Sequence, residues 1–302
     1  MKGKLFAYLQ ITRPANVVTA VADVWAGFAI AGGWSYLIST WKDGSGFWIN
    51  LLWLSISTIG LYGGGVAFND IADAELDAVE RPERPIPSGR AKKSTAIIVA
   101  SLLLFFGVLA AFQVNHLAGI LAIVISLCAL TYDYWGKHQN IFGPINMGLC
   151  RAGNLLLGVA VAPEVLEKVG PIGILPLIYV AAITMVSRGE VHGKNRRALF
   201  AGLGMYAVIV IGIFLLAKIQ GPNYWHVIPF LALLSYMIFP PLIRAIQTES
   251  PQLIGKSVKA AVISLIIVNA SLGAAFESWE IGLVVLALLP LSLILAKAFA
   301  VT

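Results

Sequence analysis

Four side chains with oxygen donors are closely spaced between positions 69 and 77: Asn69, Asp70, Asp73 and Asp77. On a helix, Asn69, Asp73 and Asp77 recur every four residues and share one face, with Asp70 on its flank. Carboxylates this close repel one another, and removing them from water is costly. A bound divalent cation offsets both costs. Such oxygen ligands suit Mg²⁺, which takes one or two carboxylates together with water and phosphate oxygens. The pattern predicts a magnesium site, with a solvated acidic helix end as the alternative.

Two arginines follow this acidic segment within about two helical turns. Arg81 and Arg84 lie in a stretch where Pro82, Pro85 and Pro87 force the chain out of a helix. Acids and bases this close together suit a metal-bound diphosphate, because the metal takes the carboxylates while guanidinium groups pair with phosphate oxygens. We therefore expect Arg81 and Arg84 to bind phosphate.

A second polar segment lies between positions 187 and 197. Glu190 is a candidate metal ligand there, and Arg188 and Lys194 are candidates to pair with phosphate oxygens. The alternative is a basic loop that only sets the membrane topology. Lys137, in a third polar stretch, has the same two interpretations: an anion-binding lysine or a topology-setting one.

Arg151 and Asn154 lie three residues apart in an otherwise apolar segment, a spacing that puts them on one helix face. An arginine inside a hydrophobic span is costly and by default marks a functional interior. We expect Arg151 to face a polar cavity, with snorkelling to the headgroups as the alternative. Asp23, within the first predicted span, is a weaker candidate for a residue that faces such a cavity.

The rest of the chain is too apolar for a water-soluble protein. Of its 302 residues, 59% are hydrophobic and 12% are charged, whereas a soluble domain carries roughly a quarter charged residues. The apolar residues fall into blocks of about 20, the length of a membrane-spanning helix, without the alternation of barrel strands. The sequence predicts an all-α integral membrane protein with spans at 15–33, 47–68, 94–112, 117–132, 141–161, 170–187, 198–217, 226–243, 260–276 and 281–299. The last two are the least separate, so we expect nine to ten spans.

Basic residues indicate the orientation. With the N-terminus inside, 17 of the 21 Lys and Arg residues fall in inner loops, which is the bias expected of a membrane protein. The net charge of +6 is therefore a topology signal and not a sign of nucleic-acid binding. Cys128 and Cys150 both fall in spans, so a disulfide scaffold is not expected.

The motif Asn69-Asp70-x-x-Asp73-x-x-x-Asp77, followed by Arg81 and Arg84-Pro85, resembles that of the UbiA superfamily of membrane prenyltransferases. Arg13-Pro14 before the first span and Tyr132 with Lys137 after the fourth are similar to further family features. The resemblance covers nearly the whole chain and implies a single domain over 1–302, a helical bundle around a central cavity. It implies that Asn69, Asp70, Asp73 and Asp77 hold Mg²⁺ against an isoprenyl diphosphate, and that Arg84, Lys137 and Arg188 bind the diphosphate.

The second polar segment departs from the family pattern, which usually has a further pair of aspartates there. This chain offers Glu190 alone, near His192 and Lys194. The segment is similar to that of a UbiA-like branch found in biosynthetic clusters, the EboC type. A single acid is compatible with a second metal, with fewer metals, or with lost catalysis.

The leading hypothesis is Mg²⁺-dependent transfer of a prenyl group from an isoprenyl diphosphate to a small aromatic or polar acceptor in the bilayer. The expected catalytic residues are Asp70, Asp73, Asp77 and Lys137; the diphosphate-binding residues are Arg81, Arg84, Arg151, Asn154, Arg188 and Lys194; and the metal ligands are Asn69, Asp70, Asp73, Asp77 and Glu190.

Two other functions compete with it. A catalytically altered carrier of a lipid or pathway intermediate is the main alternative. An ion-coupled transporter would need charged residues in several spans, and only Asp23 and Arg151 qualify. The expected location is a multi-pass position in a bacterial inner membrane, with the N-terminus and the motif loops in the cytoplasm.

Overall fold

In the computed structural model, residues 3–40, 46–189, 193 and 196–299 are described, and the regular structure within these ranges is helical. The α-helices are α1 (Lys4–Ile11), α2 (Pro14–Ile30), α3 (Gly33–Thr40), α4 (Trp48–Ala72), α5 (Ala74–Glu80), α6 (Lys93–Phe112), α7 (His116–Tyr134), α8 (Phe142–Val159), α9 (Pro163–Val169), α10 (Ile174–Ser187), α11 (Arg196–Gln220), α12 (Ile228–Thr248), α13 (Pro251–Phe276), α14 (Trp279–Leu286) and α15 (Leu288–Ala298). The predicted all-helical membrane fold is confirmed.

Eight segments of the described chain are long and apolar enough to cross a membrane. Helices α2 and α3, bent by 76° where they meet, form a ninth if they count as one span. Helix α8, at the predicted fifth span, is not among them because Asn146, Arg151 and Asn154 lower its hydropathy. Each predicted span thus coincides with helix, and α8 is the one whose polarity sets it apart.

The acidic segment lies at the end of α4 and in α5. Helix α4 ends at Ala72 and α5 begins at Ala74, so the single continuous helix expected through Asp77 is interrupted at Asp73. The backbone nevertheless keeps helical bonds across the break, because Asp73 N donates to Asn69 O (3.0 Å) and Asp77 N to Asp73 O (2.8 Å). The expected shared face therefore persists through a small irregularity.

Close helix crossings position the interior polar residues. Helices α2 and α8 meet at Gly27 and Gly158, where a Cβ on Gly158 would lie 2.9 Å from the Gly27 Cα and would overlap the Val24 carbonyl. Small residues at such crossings let two membrane helices approach closely and gain van der Waals contact. The crossing brings Asp23 on α2 within hydrogen-bond distance of Arg151 on α8.

The bundle is apolar both inside and outside, as a bilayer requires. Helices α2 and α13 are packed into the middle of the bundle, and α6, α7 and α11 carry exposed Phe, Ile, Leu and Val side chains. Because lipid tails are as apolar as these side chains, such a surface carries no penalty in a membrane. Burying polar groups is what costs free energy here, and the buried polar residues are concentrated in α2, α4, α8 and α13.

Candidate functional site

A polar cavity of about 380 Å³ opens among the helix ends on the side predicted to face the cytoplasm. The α1–α2 junction, the α4–α5 break, the end of α7, the end of α10 and the first half of α13 surround it. Its charged and amide lining residues are Arg13, Asn16, Asn69, Asp73, Asp77, Glu80, Arg81, Arg84, Lys137 and Arg151. The structure thus brings most of the predicted site residues to one cavity.

Each aspartate of the motif is paired with a basic side chain. Asp70 accepts from Arg13 Nη2 at 2.8 Å and lies 3.5 Å from Arg84 Nη1. Arg84 Nη1 also contacts Asp77 Oδ2 at 2.7 Å, and Lys137 Nζ contacts Asp73 Oδ1. All these side chains are largely buried, so their charges interact in a medium less polar than water.

Arg13 was not expected in the site from its type and spacing alone. It has a left-handed backbone (φ +47°, ψ +68°) directly before Pro14, the first residue of α2. Such a conformation is costly for a residue with a side chain and persists where the surroundings enforce it, often at functional sites. The turn directs the guanidinium to Asp70 across the α1–α2 junction. The sequence signal was the Arg-Pro pair at a helix start.

Asp133 is a second residue that the sequence reasoning missed. It is the second-last residue of α7, only 3% of its surface is exposed, and its Oδ1 accepts a hydrogen bond from Asn69 Nδ2 at 3.0 Å. Its other oxygen, Oδ2, is buried without a hydrogen-bond partner in the described part of the chain. Its signal was weak, since an acid beside Tyr132 at a helix end is unremarkable in a sequence.

A second, more apolar cavity of about 220 Å³ adjoins the first. It lies among α4, α7 and α8, and its lining includes Leu61, Val66, Ile125 and Ala129. Six residues line both cavities and form the region between them: Arg13, Tyr62, Asn69, Tyr132, Met147 and Arg151. Asp133 and Asn154 line only the more apolar cavity.

Arg151 lies in a buried polar network that holds its guanidinium against the cavity walls. Nη1 bonds to Asp23 Oδ2 at 2.7 Å, Nη2 donates to Thr19 Oγ1 at 2.7 Å, and the guanidinium carbon lies 4.7 Å from the Tyr62 ring centre. Asn269 on α13 donates to Asp23 Oδ1 at 2.6 Å. The network fixes Arg151 and neutralises its charge with Asp23.

Asn154 belongs to the same network. Its Nδ2 donates to Ala20 O at 2.8 Å and to Asp23 Oδ2 at 3.1 Å, and its Oδ1 accepts from Thr58 Oγ1 at 2.7 Å. The predicted face shared with Arg151 exists, but it lies toward the more apolar cavity. Asn154 is therefore separated from the aspartate cluster.

The structure does not bring Arg188 into either cavity. Its guanidinium donates to Asn140 O at 2.9 Å, Asn140 Oδ1 at 3.1 Å and Gln139 O at 2.7 Å, which ties the end of α10 to the loop before α8. Glu190 and Lys194 lie outside the described residues. Arg81 lines the polar cavity beside Arg84.

The cluster offers hard oxygen donors without a preformed metal cage. Among residues 3–40, 46–189, 193 and 196–299, no three His, Cys, Asp or Glu side chains converge closely enough to hold a metal ion. Mg²⁺ commonly takes one or two protein carboxylates and completes its shell with water and phosphate oxygens. The residues therefore fit magnesium that enters together with a phosphate-containing ligand.

Comparison with known proteins gave consistent matches. The model of the UbiA prenyltransferase family matches residues 25–254. The digeranylgeranylglyceryl phosphate synthase of Methanothermobacter thermautotrophicus is 25% identical over 245 residues, which are 79% of this chain and 81% of that protein.

Two solved structures share the fold. A UbiA homologue from Aeropyrum pernix superposes with a TM-score of 0.67 at 16% identity, over 84% of this chain and 96% of the other. A UbiA homologue from Archaeoglobus fulgidus, bound to DMAPP and Mg²⁺, superposes with a TM-score of 0.63 at 15% identity, over 93% of this chain and 99% of the other. At these identities the likeness establishes the fold alone.

Proposed function

Because the chain belongs to the UbiA prenyltransferase family, we propose that it is a Mg²⁺-dependent enzyme that transfers a prenyl group from an isoprenyl diphosphate to a hydroxyl-bearing acceptor within the membrane. Asp70, Asp73 and Asp77 are the proposed catalytic and metal-binding residues, with Asn69 beside them. Arg13, Arg81, Arg84 and Lys137 are the proposed diphosphate-binding residues.

The ion pairs of the polar cavity are the observation that carries this proposal. Arg13, Arg84 and Lys137 each pair with a carboxylate of the motif. The cavity therefore holds bases that can pair with phosphate oxygens and acids that can hold a cation. A site of this composition is suited to an anion that carries its own metal, because the ligand satisfies both sets of charges at once.

The residues have distinct roles in the proposed reaction. Arg84 and Lys137 would bind the diphosphate and stabilise the negative charge that grows on it as the bond to the prenyl carbon breaks. Bound magnesium would act as a Lewis acid on the same leaving group. The apolar walls of the adjoining cavity would exclude water, which would otherwise capture the prenyl carbocation.

We further propose an acceptor of the glyceryl phosphate class. The relative from M. thermautotrophicus is named for a product with two geranylgeranyl groups on one glyceryl phosphate. Adding the second group requires an acceptor with one chain and one free hydroxyl. The broader expectation of a small aromatic or polar acceptor stays a prediction.

The many apolar helices and the family make the chain a multi-pass membrane protein. We propose that the polar cavity opens on the cytoplasmic face, in agreement with the Lys and Arg bias. Cysteines introduced at Glu83 and at Asn223, in loops at opposite ends of the bundle, test this orientation. A membrane-impermeant maleimide should label only Asn223→Cys in intact cells. The bacterial inner membrane stays a prediction, since the relative described above is archaeal.

The proposed function is tested by measuring pyrophosphate release and prenyl ether formation with geranylgeranyl diphosphate, monogeranylgeranylglyceryl phosphate and Mg²⁺ in proteoliposomes. We expect Asp73→Ala to lower both by at least a hundredfold while the protein still inserts. Binding of the diphosphate without release of pyrophosphate by the unaltered chain would instead support the carrier alternative. Transfer undiminished in Asp73→Ala would exclude the proposed mechanism.

A further inference from the structure

Asp133 has a buried oxygen whose hydrogen-bonding capacity is not used by the described residues. Oδ1 accepts from Asn69, whereas Oδ2 is buried and unpartnered. A buried acceptor without a donor costs about as much as a lost hydrogen bond, and such groups are rare in native proteins. The side chain lines the 220 Å³ cavity. A donor that reaches Oδ2 from that cavity would therefore remove this cost.

The position of Asp133 places such a donor close to the proposed reacting centre. Asn69, its hydrogen-bond partner, lines both cavities and precedes Asp70 of the paired cluster. From Asn69, the 220 Å³ cavity extends along α4 as far as Leu61, about 12 Å away at the rise of an α-helix. Asp133 thus lies beside the region where the polar cavity meets the more apolar one, in contact with Asn69.

The charges around the cavity favour a neutral donor. Arg13 and Arg151 also line it, so a cationic ligand would meet two guanidinium groups. An anionic group at this point would meet the Asp133 carboxyl itself. A hydroxyl group donates its hydrogen without adding a charge, so it suits an acceptor among these groups.

We propose that Asp133 binds the acceptor molecule, with Oδ2 accepting a hydrogen bond from the acceptor's free hydroxyl, and that the junction of the two cavities is the acceptor-binding site. The inference rests on the proposed prenyl transfer, which requires an acceptor hydroxyl near the prenyl carbon. It assigns to Asp133 a binding role separate from that of the aspartates paired with Arg13, Arg84 and Lys137.

Equilibrium binding tests this without any turnover. The probes are monogeranylgeranylglyceryl phosphate, the same lipid with its free hydroxyl replaced by hydrogen, and geranylgeranyl S-thiolodiphosphate with Mg²⁺ as an unreactive donor. In the unaltered chain we expect the hydroxyl-bearing lipid to bind about tenfold more tightly than the deoxy lipid, as one buried hydrogen bond would give.

Two variants of Asp133 should abolish this preference. Asp133→Leu removes both oxygens. Asp133→Ala also removes both oxygens and leaves a smaller side chain. In each variant we expect the two lipids to bind within twofold of one another, with the thiolodiphosphate affinity unchanged within twofold. The Ala variant keeps the test decisive if the Leu variant does not fold.

Ser126→Ala is the matched control, because Ser126 is a polar residue of the same helix that bonds its own backbone at Ala122 and lines neither cavity. It should keep the tenfold preference. The proposal is overturned if the unaltered chain shows no preference for the hydroxyl, if the preference survives in both Asp133 variants, or if the thiolodiphosphate loses affinity as much as the lipid does. An intact preference without pyrophosphate release would refute the proposed function and leave this inference standing.

Discussion

At the scale of single residues, Arg84 has the most demanding position in the polar cavity. Its Nη1 lies 2.7 Å from Asp77 and 3.5 Å from Asp70, so one guanidinium serves two carboxylates. A planar guanidinium presents several donors in fixed directions, which an ammonium group does not reproduce. This residue should therefore tolerate neither loss of charge nor replacement by lysine.

We expect Arg84→Gln to weaken binding of geranylgeranyl S-thiolodiphosphate by at least tenfold in the presence of Mg²⁺, because Asp77 loses its counter-charge, Asp70 keeps only Arg13, and the phosphate loses a donor. The affinity of Arg84→Lys for the thiolodiphosphate should lie between those of the unaltered chain and Arg84→Gln. Scintillation-proximity binding in detergent measures this. Arg90→Gln is the matched control, since Arg90 is exposed and lines neither cavity. Equal losses in the two glutamine variants would mean that only the general basicity of the loop matters.

A second residue-scale prediction concerns the buried pair of Asp23 and Arg151. Asp23 is fully buried and accepts from Arg151, Asn154 and Asn269. Removing one partner of a buried ion pair leaves an uncompensated charge and costs about 3–5 kcal/mol. We expect Arg151→Met to lower the free energy of unfolding by this amount.

The double variant Asp23→Asn with Arg151→Met removes both charges and should recover much of that loss. Denaturation in mixed micelles, followed by circular dichroism, measures the unaltered chain, both single variants and the double variant. If the double variant loses as much stability as the two single variants together, the pair is not coupled as the 2.7 Å contact implies.

The sequence predicted the aspartates and Arg84 as neighbours because acids and bases repeat within a short stretch. Lys137 was expected there from the family resemblance, since its contact with Asp73 spans 64 positions. The sequence did not predict Arg13 or Asp133, whose contacts span 57 and 64 positions along the chain. Local spacing carries no information about such contacts. Arg188 shows the reverse case: a basic residue in a polar stretch satisfies backbone carbonyls of a neighbouring loop.

At the scale of helices, hydropathy predicted where spans exist but not where helices end. Helix α13 begins at Pro251, well before the apolar block predicted from position 260. Ser250 caps it by accepting from Leu253 N, and a cap of this kind starts a helix regardless of hydropathy. The end of α4 at Ala72 could not be predicted from the sequence either, since no proline or glycine marks the break at Asp73.

The α2–α8 crossing provides an element-scale prediction. We expect Gly158→Ala to separate the two helices, because its Cβ would lie 2.9 Å from the Gly27 Cα and overlap the Val24 carbonyl. That movement would stretch the contact between Asp23 and Arg151 and lower the melting temperature. The thermal stability of the detergent-solubilised protein is the measurement.

Gly204→Ala is the matched control for this substitution. Gly204 lies in α11, and a Cβ there would have no atom within 4 Å. The change should leave the melting temperature equal or slightly higher, because alanine favours a helix over glycine. Equal effects at the two positions would show that helix propensity, and not the crossing, determines the result.

At the scale of the whole molecule, the polar cavity joins parts of the chain that are far apart in sequence. The ion pairs connect the α1–α2 junction, the end of α4, α5, the loop after it and the loop after α7. Without a ligand, these acids and bases neutralise one another. A cation alone would have to displace the bases, and a diphosphate alone would have to displace the acids.

We therefore expect Mg²⁺ and pyrophosphate to stabilise the protein together far more than the sum of their separate effects. Mg²⁺ binds the carboxylates that pyrophosphate frees from the bases, and pyrophosphate binds the bases that Mg²⁺ frees from the carboxylates. By linkage, each ligand must raise the affinity of the other by the same factor. A ligand that binds only the folded state raises the free energy of unfolding by RT ln(1 + L/Kd), where L is the free ligand concentration. Melting curves with Mg²⁺, with pyrophosphate, with both, and with both plus excess EDTA measure the coupling. The same series on Asp73→Ala should show little cooperation, whereas a full shift with Mg²⁺ alone in the unaltered chain would mean that the carboxylates form a complete metal site before any phosphate arrives.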